Sequence, residues 1–271
     1  MTMTNSLSRN CVSRRKVGRA VRLASGLLLA AWTLSATRLH AESPTWTPAM
    51  IIEKSIAHHD PNNVWATGRV QLGIDTKYSD EYAVRAGTSE VKLTLLLAPR
   101  FQEFRYVKET GDDRVEIGVH QGEASLLING SADVAEEDVE RLRIREPEMY
   151  RDYCEYLYGM PMKLRDPGTM VDPLIESSPF GGQEALRLKV TYDPDVGSHT
   201  WYFYFHPATC ALIGYRFYFD ESKNDGEYIT FEGEIVDEAS GLRLPKARAW
   251  YFNADGKHLA TDDIVSITVS R

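Results

Sequence analysis

The chain has 271 residues, room for one large domain or two small ones, and 31 Lys+Arg against 39 Asp+Glu give it a net charge of −8. Seven of the basic residues (Arg9, Arg14, Arg15, Lys16, Arg19, Arg22 and Arg38) lie in residues 1–41, which carry no acidic residue; without them 24 Lys+Arg face 39 Asp+Glu, a net charge of −15. A surface of that sign repels nucleic acid and anionic headgroups and excludes a nucleic-acid function.

In residues 1–41 a basic start precedes an apolar run from Leu23 to Ala36, too short and too rich in small residues for a membrane span. This is the pattern of a cleaved secretory signal, with cleavage near Ala41, before Glu42. The stretch "SRRKVGR" at 13–19 partly matches a twin-arginine export signal, and an ordinary secretion signal explains the same charges. The expected organisation is a signal peptide over 1–41 and a single domain over 42–271. The expected location is the periplasm.

Thr47 and Pro48 predict a helix start, and Asp60-Pro61-Asn62-Asn63 predicts its end, because a residue before proline avoids helix. From 64 to 74, Val64, Ala66, Gly68, Val70, Leu72 and Ile74 alternate with polar residues, as in a half-buried strand. Val91, Leu93, Leu95 and Leu97 repeat the pattern. "FQEFRYVKE", "RVEIGVH" and "EASLLING" follow after short turns, so neighbouring strands should run antiparallel.

Residues 131–161 change character and predict two helices. The first, about 133–144, is mostly solvated. The second starts at Pro147 and gathers Tyr150, Cys154 and Leu157 on one face, with Met149 and Tyr153 beside them; Gly159 and Pro161 stop it. "PFGGQ" at 179–183 reads as a flexible turn, and a strand resumes over 184–194. The hairpin "HTWYFYFHPATCALIGYRFYF", 199–219, is aromatic on both faces. Further strands follow at 227–237, 244–253 and 258–270. The pattern predicts an α+β domain: a long antiparallel sheet with helices packed on one side. Cys154 and Cys210 are the cysteines left after the leader, and their spacing leaves open either a disulfide or two free thiols.

"IIEKSIAHHDPNNVW" (51–65), "YLYGMPMKLRDPG" (156–168), "TYDPDVGSHTWYFYFHPATCALIGYRFYFDE" (191–221), "EYITFEGEI" (227–235) and "LPKARAWYFNADGKHLATDDI" (244–264) together resemble an exported bacterial family of unknown function, DUF6503. The family's fold is similar to that of the periplasmic lipoprotein carrier. The resemblance spans most of residues 47–269. It implies a curved antiparallel sheet, a half-barrel, covered on its concave side by helices. It further implies an apolar concavity of the kind that shelters acyl chains in the carrier. On that frame Trp201, Phe203 and Phe205 are expected on the concave side. The tyrosines between them are expected on the convex side with their hydroxyls in water.

The residues expected to bind an apolar or lipid-like guest are Trp65, Phe104, Tyr153, Leu157, Trp201, Phe203, Phe205 and Trp250, with Lys163 and Arg165 at the rim for an anionic group. The same aromatics also fit an ordinary packed core. His58, His59 and Asp60 form an alternative catalytic cluster, opposed by the 100° between adjacent helical residues and by the capping role of a histidine at a helix C-terminus. Asp262 and Asp263 alternate to opposite faces and are expected to end a loop or blunt a strand end. No Gly-x-Ser-x-Gly, glycine-rich phosphate loop or metal-type cysteine spacing occurs. No cofactor or metal is expected.

The reading is an exported, non-enzymatic binding protein for an apolar or lipid-like small molecule or acyl chain. The alternatives are a periplasmic hydrolase or lyase using His58 or His59, and an interaction module whose partner is an envelope protein.

Overall fold

The computed structural model describes residues 46–271, so the segment read as an export signal lies outside the described residues. The described residues form one compact unit. Its frame is a twelve-stranded antiparallel sheet. The strands are β1 (Arg69–Tyr78), β2 (Glu90–Ala98), β3 (Glu103–Thr110), β4 (Asp113–His120), β5 (Glu123–Ile128), β6 (Thr169–Phe180), β7 (Gln183–Tyr192), β8 (Thr200–Phe205), β9 (Leu212–Tyr218), β10 (Glu227–Val236), β11 (Arg243–Phe252) and β12 (His258–Ser270). Their order, β5-β4-β3-β2-β1-β12-β11-β10-β9-β8-β7-β6, pairs the first strand with the last at the centre. Two meanders therefore run outward from one central seam, and short turns join nearly all neighbours.

The helices are α1 (Pro48–His59), α2 (Asp80–Ala86), α3 (Glu136–Leu142) and α4 (Pro147–Tyr158). The sheet curves around α1 and α4. Ile51, Ile52 and Ile56 of α1 and Cys154, Leu157 and Tyr158 of α4 join Leu72, Leu97, Ile117, Leu188, Phe203 and Phe205 in one buried cluster. Burying each large side chain contributes roughly 1.5–3 kcal/mol. This is the antiparallel sheet with helices on one side that the sequence pattern predicts, in the α+β half-barrel form that the family resemblance implies.

Three sequence expectations change. Residues 64–68 form a turn, not the start of a strand, because the Asp60 carboxylate accepts hydrogen bonds from the backbone N–H groups of Val64 at 2.8 Å and Trp65 at 2.9 Å. Helix α2 is an addition: it has seven residues and buries none of them, so no apolar period announces it. Strand β6 is a second addition. Pro173 and Pro179 argue against a central strand, and β6 tolerates them because it is an edge strand pairing with β7 alone, its register shifting between Val171 and Ile175.

The aromatic hairpin has two dry faces. Trp201, Phe203 and Phe205 join the main core, as expected. Tyr202 and Tyr204 are buried too, in a second cluster on the convex face. Phe180 stacks on Tyr204 with ring centroids 3.7 Å apart. It gets there across Gly214, where a Cβ would sit 2.5 Å from the Phe180 ring. The tyrosines are thus not water-facing: the end of β6 covers them, and the Tyr202 hydroxyl donates to Glu221 at 2.5 Å.

Cys154 and Cys210 are both buried and free, and burial pushes the Cys154 thiol up to about 12.

Candidate functional site

Helix α4 covers the sheet incompletely. Pro147 suits its first turn, but no side chain caps it. Its inner stripe is Cys154, Leu157 and Tyr158, while Met149 and Tyr153 stand 57% and 55% exposed beside that stripe. Its C-terminal end is held closely. At Gly159 an added Cβ would lie 2.3 Å from the Glu155 carbonyl oxygen and 2.6 Å from the Trp65 ring.

Beneath that end lies Arg248 of β11, 1% exposed. Its Nη2 donates to the Leu157 carbonyl at 2.5 Å and to the Tyr215 hydroxyl at 3.3 Å. Its guanidinium lies 4.4 Å from the Tyr158 ring centroid and 5.0 Å from that of Phe231. The helix C-terminal dipole and the ring faces thus solvate a buried cation. Nε and Nη1 find no hydrogen-bond partner among the described residues. Asp262 of β12 sits directly across the ladder from Arg248. It accepts from the Thr76 hydroxyl at 2.6 Å and from Trp250 Nε1 at 2.8 Å. Burial pushes its carboxyl above the ordinary range, against those two hydrogen bonds. Asp262 therefore neither ends a loop nor blunts a strand end; it is a buried acid in the middle of β12.

Three cavities follow the flanks of α4. The first, about 390 Å³, is walled by Tyr153, Tyr156, Tyr192, His199 and Trp201, with Lys163 and Asp166 at its edge. The second, about 330 Å³, has Tyr153, Leu157, Trp250, Glu227 and Asp262 in its wall. The third, about 620 Å³, is bounded by α2, α3 and β3 and includes Arg85, Lys108 and Arg143. Tyr153 is common to the first and second; Tyr78, Tyr82, Tyr106 and Tyr150 are common to the second and third. The three chambers therefore adjoin, with shared tyrosines between them, along one tyrosine-lined flank of α4, called the groove below. Each volume is in the range of small-molecule sites.

Of the eight residues expected to touch a guest, Tyr153, Leu157, Trp201 and Trp250 line the first two chambers. Trp65, Phe104, Phe203 and Phe205 are at most 5% exposed and pack inside the core. At the expected rim, Lys163 pairs with Asp166, and Arg165 turns to Glu53 of α1, its Nε 2.8 Å from Oε1.

The histidine cluster lies away from these chambers. His59 is buried, donates from Nδ1 to the Arg243 carbonyl at 3.0 Å and accepts the Leu212 N–H on Nε2 at 3.0 Å. Burial lowers its pKa to about 4. His58 pairs with Glu234, Nε2 to Oε1 at 2.6 Å. The three side chains place ligand atoms within 4.8 Å of one another, but His59 has both ring nitrogens engaged and no lone pair for a metal. Asp60 is engaged by the Val64 and Trp65 amides.

Groove residues outside the sequence reading include Tyr78, Tyr82, Tyr106, Tyr156, Tyr192 and, as a buried acid, Asp262; Arg248, beneath the end of α4, is a further residue the sequence reading did not single out. A signal for part of this set existed. Thr76, Arg248 and Asp262 are polar residues on the strand parity that is otherwise apolar, beside Leu72 and Ile74, Trp250, and Ala260 and Ile264.

A family described as "Family of unknown function (DUF6503)" matches residues 31–266. No curated protein matches the chain. Among solved structures, a DUF1329 family protein from Desulfovibrio piger ATCC 29098 is similar with a TM-score of 0.47 at 8% identity, over 81% of this chain and 91% of that one. MucB, solved in complex with MucA(peri), is similar with a TM-score of 0.29 at 13% identity, over 82% of this chain and 56% of that one.

Proposed function

The chain belongs to the DUF6503 family of unknown function, and from that premise we propose that it is an exported, periplasmic, non-enzymatic binding protein that holds an apolar or amphipathic ligand in the groove along α4. Residues 1–41 are its export signal in this reading, and residues 42–271 the single binding domain. The carrying observation is the string of three chambers that α4 leaves open beside a sealed core, walled by tyrosine, tryptophan and leucine. Tyrosine suits such a wall because its ring contacts hydrocarbon while its hydroxyl reaches water or a polar group. Support also comes from the His58–His59 cluster: His59 is committed to backbone groups, His58 is paired with Glu234, and neither lines any of the three chambers.

Native mass spectrometry of the protein purified from a periplasm without detergent tests this. The expected result is an added mass that disappears on organic extraction. A bare mass, together with no binding of an apolar fluorescent probe, would overturn it.

A further inference from the structure

The groove is polarised. At its first chamber the one lysine in the wall, Lys163, is neutralised by Asp166. At its third chamber Arg85, Lys108 and Arg143 have no carboxylate within ion-pair distance among the described residues, while Arg141 is clamped by Asp113 at 2.6 Å and Asp138 at 2.8 Å. The carboxylate in that wall, Asp113, is thus already matched, and three cations remain. This stands against the sign of a chain whose residues 42–271 carry −15. Two further features belong to the same wall. Lys108 is half-buried, and burial holds its ammonium below the usual range, opposed in part by Asp113. The Thr110 hydroxyl is buried with no hydrogen-bond partner. Tyr106 and Tyr150, with ring centroids 5.0 Å apart, and Tyr78 and Tyr82, 5.3 Å apart, stand between this chamber and the second, whose wall holds Leu157 and Trp250 beside Glu227 and Asp262.

Resting on the groove reading above, we propose that the third chamber takes the anionic headgroup, carboxylate or phosphate, of a single-chain amphiphile whose hydrocarbon lies past Tyr106 and Tyr150 along α4. Arg85, Lys108 and Arg143 supply the charge, and Thr110 supplies a hydroxyl donor. Arginine and lysine bind carboxylate and phosphate oxygens by charge-assisted hydrogen bonds. The four tyrosine rings accept the first methylenes, and Leu157 and Trp250 the chain beyond. The opposite orientation would place the headgroup beside a closed Lys163–Asp166 pair.

The test titrates the purified protein, by its intrinsic tryptophan fluorescence, with four sixteen-carbon probes below their micelle concentrations: hexadecanoate, hexadecyl phosphate, hexadecanol and hexadecyltrimethylammonium. The two anions are expected to bind about tenfold or more tighter than the alcohol, a difference that two exposed cations and the half-buried Lys108 together can supply. The variant carrying Arg85→Gln, Lys108→Gln and Arg143→Gln should lose that preference and keep its affinity for hexadecanol. Retention of hexadecanol binding also reports that the variant is folded. Tighter binding of hexadecyl phosphate assigns the headgroup to phosphate; tighter binding of hexadecanoate assigns it to carboxylate. Equal binding of alcohol and anions leaves the groove standing and overturns the headgroup assignment. Binding of none of the four overturns both.

Discussion

Helices α1 and α4 cover the same concave sheet in opposite ways. Helix α1 is sealed at both ends. Thr47 accepts the Met50 amide at its start. Asp60 caps the chain leaving it, and His59 joins the β9 backbone to that of β11. Helix α4 starts without a side-chain cap, is tied at its C-terminal end by Arg248, and leaves chambers along its flanks. The contrast separates two uses of an apolar concavity. One helix completes the core, and the other leaves space that the core does not fill.

The largest expected effect is on the α4 tether. Arg248→Ala removes the donor to Leu157 and opens a void beneath Tyr158, and should cost about 3–5 kcal/mol in chemical unfolding. Arg248→Met, which keeps the volume and removes the charge, should lose much less. If both cost the same, the hydrogen bond and charge rather than the packing are the tether.

On the α1 side, His59 makes stability depend on pH. Its pKa falls from 6.5 to about 4 on folding, so below pH 6.5 the unfolded chain binds the extra proton. Stability contributed by the neutral ring is complete above pH 6.5, declines as pH falls towards 4 and levels off below it, about 3 kcal/mol in all. In His59→Gln the unfolding free energy should lose that slope. Asp60→Ala strands two buried amides and should cost about 2–3 kcal/mol in the same assay.

The groove should show the reverse balance. Tyr153→Ala should change stability by less than about 1 kcal/mol, since the side chain is largely exposed, yet weaken binding of an apolar probe about tenfold or more. A stability loss as large as that of the α1 variants would place Tyr153 in the core. The smallest effect belongs to Arg165→Ala. Its pair with Glu53 is on the surface, so stability should move by less than about 0.5 kcal/mol and probe binding not at all.

Much of the fold is legible in the residues. Thr47 and Pro48 announce α1, Pro147 and Gly159 bound α4, and period-two apolar runs mark most strands, because these signals act over a few residues. The hairpin at 199–219 posed a question that local pattern leaves open: both of its faces are greasy, and what covers the second is Phe180, from a strand whose prolines conceal it. The candidate site was half legible. Tyr153, Leu157, Trp201 and Trp250 follow from aromatic and apolar character, whereas Phe203 and Phe205, equally apolar, are core. Composition does not separate a wall from a filling.

By itself the sequence determined the antiparallel meander, the two covering helices and the acidic surface, since turn chemistry, hydrophobic period and charge are local or additive properties. The tertiary structure alone decided that β1 meets β12, that Arg248 and Asp262 are buried across from each other, and that Lys108 gathers with Arg85 and Arg143 while Lys163 is neutralised. Those relations depend on which distant strands pair and on how completely a helix fills a curved sheet. Both are settled by long-range packing, on which residue order places no short-range mark.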